Sequence, residues 1–285
     1  MRNRNRFIRI IPFVILMSVC FWIFQTKIRP HHYQLLRPYT IWRGKQLVTT
    51  DSRIGRDGEL EVFIPAGNAI LGHDQNEVNA FINEYWIDQK TTTLNDYLKC
   101  VKTGVCYPPH YQLENEKYLK TRNPFYGWLP VTYVSWQEAE GYCEYYGGHL
   151  PTEAQWEKSA RGTTGRIYLW NGGEENKDYR MANIDQFYTT LVPSGWLIKG
   201  ASPFGILDTA GNVREWVLDA YISSDAPIDL NNWSEILKKA SAMPDGILKG
   251  GSYLDDLAHA RPYYRDSHAH FSSGITRGFR CAFEY

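Results

Sequence analysis

Ser135-Trp136-Gln137-Glu138-Ala139-Glu140-Gly141-Tyr142-Cys143-Glu144-Tyr145-Tyr146-Gly147-Gly148-His149-Leu150-Pro151-Thr152-Glu153-Ala154-Gln155-Trp156-Glu157 is the stretch that decides the fold of this 285-residue chain. It contains two helix starts. Ser135 with Glu138, and Thr152 with Gln155, each make a capping box, in which hydroxyl and carboxylate or amide satisfy each other's free main-chain N–H groups. Trp136, Ala139, Tyr142, Cys143 and Tyr146 then line one helical face, until Gly147-Gly148 ends the helix. The second helix stops at Gly162.

Upstream, Leu60-Glu61-Val62-Phe63-Ile64 alternates like a strand and is stopped by Pro65-Ala66-Gly67; Tyr85-Trp86-Ile87 reads as another. Thr93 caps a helix carrying Leu94, Tyr97, Leu98 and Val101, which ends at Gly104. After Gly165 the chain breaks into short segments punctuated by Gly, Pro, Asn and Asp. Such long irregular stretches need pins, usually bridges or bound cations. The pattern is α+β. No Ser/Gly tract, charge block or repeat divides the chain after about residue 60, so one domain is expected.

Lysine plus arginine (31) equals aspartate plus glutamate (31), which removes the basic surface that a nucleic-acid partner needs. Ten Trp and twenty Tyr can either fill an irregular core or leave an aromatic groove at the surface.

Arg2, Arg4, Arg6 and Arg9 precede an apolar run from Ile10 to Phe24. As a helix this run spans about 22 Å, and Phe7 and Ile8 extend it if Arg9 reaches back to the interface. The run ends Phe21-Trp22-Ile23-Phe24-Gln25, without the small residues of a cleavage site. It reads as an uncleaved signal anchor. The excess of arginine before it keeps the N-terminus inside and sends the domain out, to the periplasmic side if the cell is bacterial. The expected organisation is a single-pass transmembrane segment over 1–29, a tether over 30–58 and a domain over 59–285.

Apart from Cys20 in the apolar run, the cysteines are Cys100, Cys106, Cys143 and Cys281. An even number outside the cytoplasm suggests two bridges, for which sequence allows three connectivities. Cys100 and Cys106 flank Gly104, so a local bridge is the simplest choice, leaving Cys143 with Cys281. Buried free thiols are the alternative. No C-x-x-C pair or zinc-spaced histidine accompanies them.

Several motifs occur in register: Pro130-Val131-Thr132-Tyr133-Val134-Ser135-Trp136, Gly148 to Glu157, Ala160-Arg161-Gly162, Ser202-Pro203-Phe204-Gly205-Ile206-Leu207-Asp208, Gly211-Asn212-Val213-Arg214-Glu215-Trp216, Lys249-Gly250-Gly251-Ser252-Tyr253 and Arg277-Gly278-Phe279-Arg280-Cys281. Together they resemble the formylglycine-generating enzyme (sulfatase-modifying factor) family over about residues 59–285. The resemblance implies a loop-rich variant of the C-type lectin fold. It also implies an oxidase that converts a sulfatase cysteine to formylglycine using oxygen and a copper ion held by two cysteines. Those two positions are Asp255 and Ala260 here, and neither replaces a soft thiolate on Cu(I). No copper is expected, and no catalytic residue.

The resemblance also implies a structural Ca²⁺ on the Asp208 and Glu215 side chains and the Gly211 and Val213 carbonyls, an oxygen set that suits calcium. A second calcium, starting at Asn183 and Ile184, lacks its downstream partners. Ser252, Asp255, Asp256 and His259 mark a possible groove, where the carboxylates and His259, with His268 and His270 near, could instead hold iron or zinc. Ser252 reads as structural. The expected function is therefore an accessory module, anchored in the membrane, that binds an extracytoplasmic protein, peptide or glycan. The alternative is a metal-dependent oxidoreductase of the same family with non-copper chemistry. A modulating partner of a true family enzyme is a third option.

Overall fold

In a computed structural model, residues 32–110, 126–169, 178–223, 228–230 and 232–284 are described. The chain divides into two units, residues 1–40 and 41–285. The first described element is helix α1 (His32–Lys45), whose residues up to Thr40 belong to the first unit. The apolar run expected to span a membrane lies outside the described residues. Among those described, no helix is long and apolar enough to cross one.

Among the described residues, the second unit is built on three antiparallel or mixed sheets. β1 (Ser52–Ile54), β2 (Leu60–Ile64), β5 (Tyr85–Asp88) and β10 (Ala282–Phe283) form the first, in that spatial order, with Val62 opposite Ile87 and Ala282 also opposite Ile87. β3 (Gly67–Leu71) and β4 (Val78–Ile82) form a hairpin. β6 (Arg214–Ala220), β7 (Asp245–Lys249), β8 (Asp266–Ala269) and β9 (Arg277–Gly278) form the third sheet in the order β8-β7-β6-β9, β9 running parallel to β6. β1 lies within the segment read as a tether. It is hydrogen-bonded to β2, so the sheet begins before residue 59.

Both capping boxes form, at the starts of α3 (Trp136–Tyr145) and α4 (Glu153–Arg161). Helix α2 (Leu94–Thr103) starts at Thr93, whose hydroxyl accepts from the Asp96 N–H, and stops at Gly104, whose φ of 80° is left-handed. Amphipathic α5 (Trp233–Ala240) precedes β7. The main core packs Tyr97, Trp136, Tyr142, Trp216 and Phe279 between α2, α3 and the third sheet. A smaller one holds Val62, Ile64, Tyr85, Ile87 and Ile206.

Two elements depart from simple patterns. β2 is buried on nearly every residue rather than alternately; Val62 and Ile64 pack in the smaller core, and Glu61 is accommodated by an ion pair to Arg53 at 2.5 Å. All nine residues of α4 are buried, including Glu153, Glu157, Lys158 and Arg161. Lys158 Nζ donates to the carbonyls of Pro65 (2.7 Å), Gly67 and Ile82, and burial pushes its pKa down to about 8.

Disulfides join Cys100 to Cys106 and Cys143 to Cys281, each with a Cα separation of 5.4 Å. The second ties the C-terminal segment to α3. The irregular segments between α4 and β6 are held by buried side chains rather than by the bridges, which lie outside them. Asn212 bonds the main chain of Val192 in both directions at 3.0 Å. Fully buried Arg280 donates to the carbonyls of Asp88, Gln89 and Leu207 and to Glu215.

Candidate functional site

β7 leads into Gly250 and Gly251, whose φ values of 86° and 68° turn the chain sharply. A Cβ at Gly251 would lie 3.0 Å from the main chain of Ala260, so the two limbs of this loop approach as closely as glycine allows. The turn buries Ser252 completely. Its N–H (2.8 Å) and hydroxyl (2.7 Å) both donate to Asp255 Oδ2. Its proton is directed at the Asp255 carboxylate, which Arg214 also engages, an arrangement that braces the turn.

Asp255 Oδ1 accepts from Arg214 Nη2 at 2.5 Å, and Arg214 Nε pairs with Asp266 Oδ2 at 2.9 Å. Arg214 is thus held between two acids. Ala260 is buried with Ala182, Ile184, Ala210 and Leu257 in an apolar cluster. The two positions where the resemblance places copper ligands are therefore an ion pair and a methyl group in a hydrophobic patch.

The other groove candidates do not converge on them. Asp256 and His259 form an exposed pair at 2.6 Å, and the hydrogen bond from His259 lowers the Asp256 pKa. Arg277 Nη2 lies 3.0 Å from His268 Nδ1. His270 is buried and stacked on Trp136 at a centroid distance of 4.6 Å. Burial lowers the pKa of both His268 and His270. Among the described residues no three His, Cys, Asp or Glu side chains are grouped to hold a metal ion.

The calcium candidates are brought together only in part. Asp208 and Glu215 lie within electrostatic reach of each other, and each has its pKa raised, chiefly by burial. Asp208 Oδ2 accepts from the Gly195 N–H at 2.8 Å and from Thr91. Both Glu215 oxygens receive Arg280 donors at 2.6 Å, and Oε2 also receives Trp156 Nε1. A calcium ion there would share Glu215 with a guanidinium, so the fit is partial. At the second position, Asn183 Oδ1 is buried without a hydrogen-bond partner, as a cation ligand would be. The Ile184 carbonyl, however, already accepts from Phe187 N.

Sequence reading missed a buried charge network centred on α4. Glu153 and Glu157 share Lys249 Nζ at 2.9 and 3.2 Å. Glu157 also pairs with Arg161, and Glu153 receives Arg265 through Nε (2.7 Å) and Nη2 (2.6 Å). The i, i+4, i+8 spacing of Glu153, Glu157 and Arg161 was its available signal. The network borders a cavity of about 430 Å³, where His73 stacks on Tyr263 at 4.2 Å.

A loop-rich α+β domain, cross-tied by two cystines and folded around a glycine-turned serine loop and a buried Arg–Glu pair, is the class that fold and site define. Residues 45–285 match the sulfatase-modifying factor enzyme 1-like domain, and the chain belongs to that family. The formylglycine-generating enzyme of Mus musculus is 31% identical over 169 residues, 55% of this chain and 44% of that protein. The inactive C-alpha-formylglycine-generating enzyme 2 of Bos taurus is 28% identical over 173 residues, 54% of this chain and 50% of that one. The chain thus spans about half the length, or less, of these relatives. Among solved structures, PvdO from Pseudomonas aeruginosa superposes with a TM-score of 0.62 at 20% identity, over 82% of this chain and 98% of PvdO, a likeness of fold.

Proposed function

We propose that this protein is a non-catalytic member of its family, an extracytoplasmic binding or accessory module held in a membrane by residues 1–29. The carrying observation is the loop after β7. Where the resemblance places two copper thiolates, Asp255 is committed to Arg214 and Ser252, and Ala260 to an apolar cluster. Cys100, Cys106, Cys143 and Cys281 are all in disulfides, so none offers a substitute thiolate. The inactive bovine relative supports the same reading, since the family evidently retains members without the activity. The arginine-flanked apolar N-terminus supports the anchor, and the cystines support an oxidising compartment. Structural calcium completes the proposal, with Asp208, Gly211, Val213 and Glu215 as ligands. The partner is an extracytoplasmic protein, peptide or glycan.

The purified chain, given Cu(I), oxygen and a Cys-x-Pro-x-Arg peptide, is expected to form no formylglycine above background. Robust conversion would move the protein into the enzyme class. Protease added to sealed spheroplasts is expected to digest the domain; protection would overturn the orientation.

A further inference from the structure

A surface cavity of about 310 Å³ opens where the end of β4 meets the starts of α4 and α5. Trp233, the first residue of α5, lines it together with Phe81, Asn83, Leu230, Asn232 and Glu284. The indole is braced from one side: the His149 ring stacks on it at a centroid distance of 4.8 Å and an interplanar angle of 7°. His149 is itself buried, and its Nδ1 donates to the Leu150 carbonyl at 2.7 Å. It does not line the cavity, so the covered side of the indole is the one turned away from it. Trp233 nevertheless stays 36% exposed, and Phe81 on the same cavity is 65% exposed. Apolar rings fixed around one pocket and left in water mark a binding surface.

The same imidazole places a carboxylate next to the ring. Glu284 Oε1 lies 3.3 Å from His149 Nε2 and accepts from Gln155 Nε2 at 3.1 Å. Oε2 has no partner among the described residues, and the side chain is 39% exposed. The Asn83 amide is exposed. Asn232 Oδ1 caps α5 by accepting the Glu235 N–H at 3.0 Å, which leaves Nδ2 free to donate. The charges at this cavity are matched. Asp229 pairs with Lys239 at 2.6 Å, and Glu284 faces His149 near the start of α4, where the helix dipole favours an anion.

We propose that this pocket binds a neutral hexopyranose, with one flat C–H face of the sugar on Trp233. Its hydroxyls donate to Glu284 Oε2, accept from Asn232 Nδ2 and exchange hydrogen bonds with the Asn83 amide. A plain hydrocarbon would cover the ring but strip water from these polar groups without replacing it. An anion would meet Glu284, and no unmatched charge selects a cation. The electron-rich ring face attracts polarised C–H groups, and a braced indole loses little freedom when it is covered. The volume is at the small end of ligand pockets, which run from roughly 300 Å³ upward, so one sugar ring is held. The inference stands apart from the loss of oxidase chemistry, because it uses none of the residues of the serine loop.

Saturation-transfer NMR on the full chain in lipid nanodiscs, with methyl β-D-galactopyranoside as the probe, tests this. Galactose gathers H3, H4 and H5 on one face, so those protons should saturate most. A Kd on the order of 1 mM is expected for a ligand of about thirteen non-hydrogen atoms. Trp233→Ala should abolish the transfer with an unchanged melting temperature. Glu284→Gln, whose amide oxygen can still accept from Gln155, should weaken binding at least fivefold while the same face stays saturated. Lactose separates the sources: binding kept assigns the end of a glycan chain, and binding lost assigns a free monosaccharide. No transfer to the galactoside, even saturation of all its ring protons, tighter binding of tetramethylammonium, or binding unchanged in the two variants would each overturn the proposal.

Discussion

Removing the two disulfides pairwise should separate their contributions by loop length. The perturbations are Cys143→Ala with Cys281→Ala, and Cys100→Ala with Cys106→Ala. All four cysteines are buried, at 0, 1, 0 and 8% residue exposure respectively, so the packing lost is nearly the same in both variants. The loops are not: one bridge spans 138 residues and the other 6. Chain entropy gives about 5 kcal/mol for the long loop and about 2 kcal/mol for the short one. With packing cancelled, the long-range variant should be less stable than the local one by about 3 kcal/mol. Equilibrium unfolding in guanidinium, followed by tryptophan fluorescence and far-ultraviolet circular dichroism together, measures the difference. The long-range variant should also show the larger m-value, because its unfolded chain is no longer looped. Equal losses, or a greater loss from the local pair, would refute the argument and place the stabilisation in the native contacts of the sulfurs.

Chelation should lower the melting temperature of the full chain, with recovery on adding Ca²⁺ but not Mg²⁺, by mass action on the native state; an unchanged curve together with calcium-free elemental analysis rejects the calcium proposal. Arg280→Met should destabilise more than Glu215→Gln, each by about 3 kcal/mol or more, because Arg280 also satisfies three main-chain carbonyls; the reverse order in chemical denaturation would refute this. Glu140 is buried with its pKa raised to about 7, chiefly by burial, while the Leu150 N–H donates to Oε2. The native state then holds a proton that the unfolded chain has already lost between about pH 4.5 and 7, so this group's contribution falls as pH rises through that window and stays low above it. Glu140→Gln should flatten that fall; an identical stability–pH slope in the variant would count against it.

The parts of the fold that could be read from sequence are those whose signals are local. Ser135 with Glu138, and Thr152 with Gln155, announce helices because both partners lie within one turn. The cystine pairing was legible because the short bridge is the simplest choice and leaves only one other pair. What could not be read depends on partners remote in sequence. Lys249 looks like a surface cation beside a glycine turn, yet it is fully buried between two glutamates some ninety residues away. Arg280 sits in a recognisable motif, but its role emerges only when Asp88, Leu207 and Glu215 come together around it. Asp255 and His259 share a segment, and proximity in sequence suggested a common site. In the fold one faces Arg214 and the other Asp256.

On the proposed non-catalytic reading, that divergence makes the two positions where the resemblance implies cysteines more than two point changes. Asp255→Cys would remove the acceptor of Ser252 and one of the two acids that hold Arg214, leaving its guanidinium beside the new thiol with Asp266 alone to balance it. A neighbouring cation favours the thiolate, but it also repels the Cu(I) that the thiolate is meant to bind. Ala260→Cys would put a sulfur into an apolar cluster beside the Gly251 main chain, where space is limited by the close approach of the two limbs. In this chain the serine loop is organised around an ion pair, with its glycines and its buried serine as scaffold. On that reading, introducing copper binding requires Arg214 to change with the two ligand positions, because charge balance in a partly buried site is set by the whole group of neighbours rather than by the ligands alone.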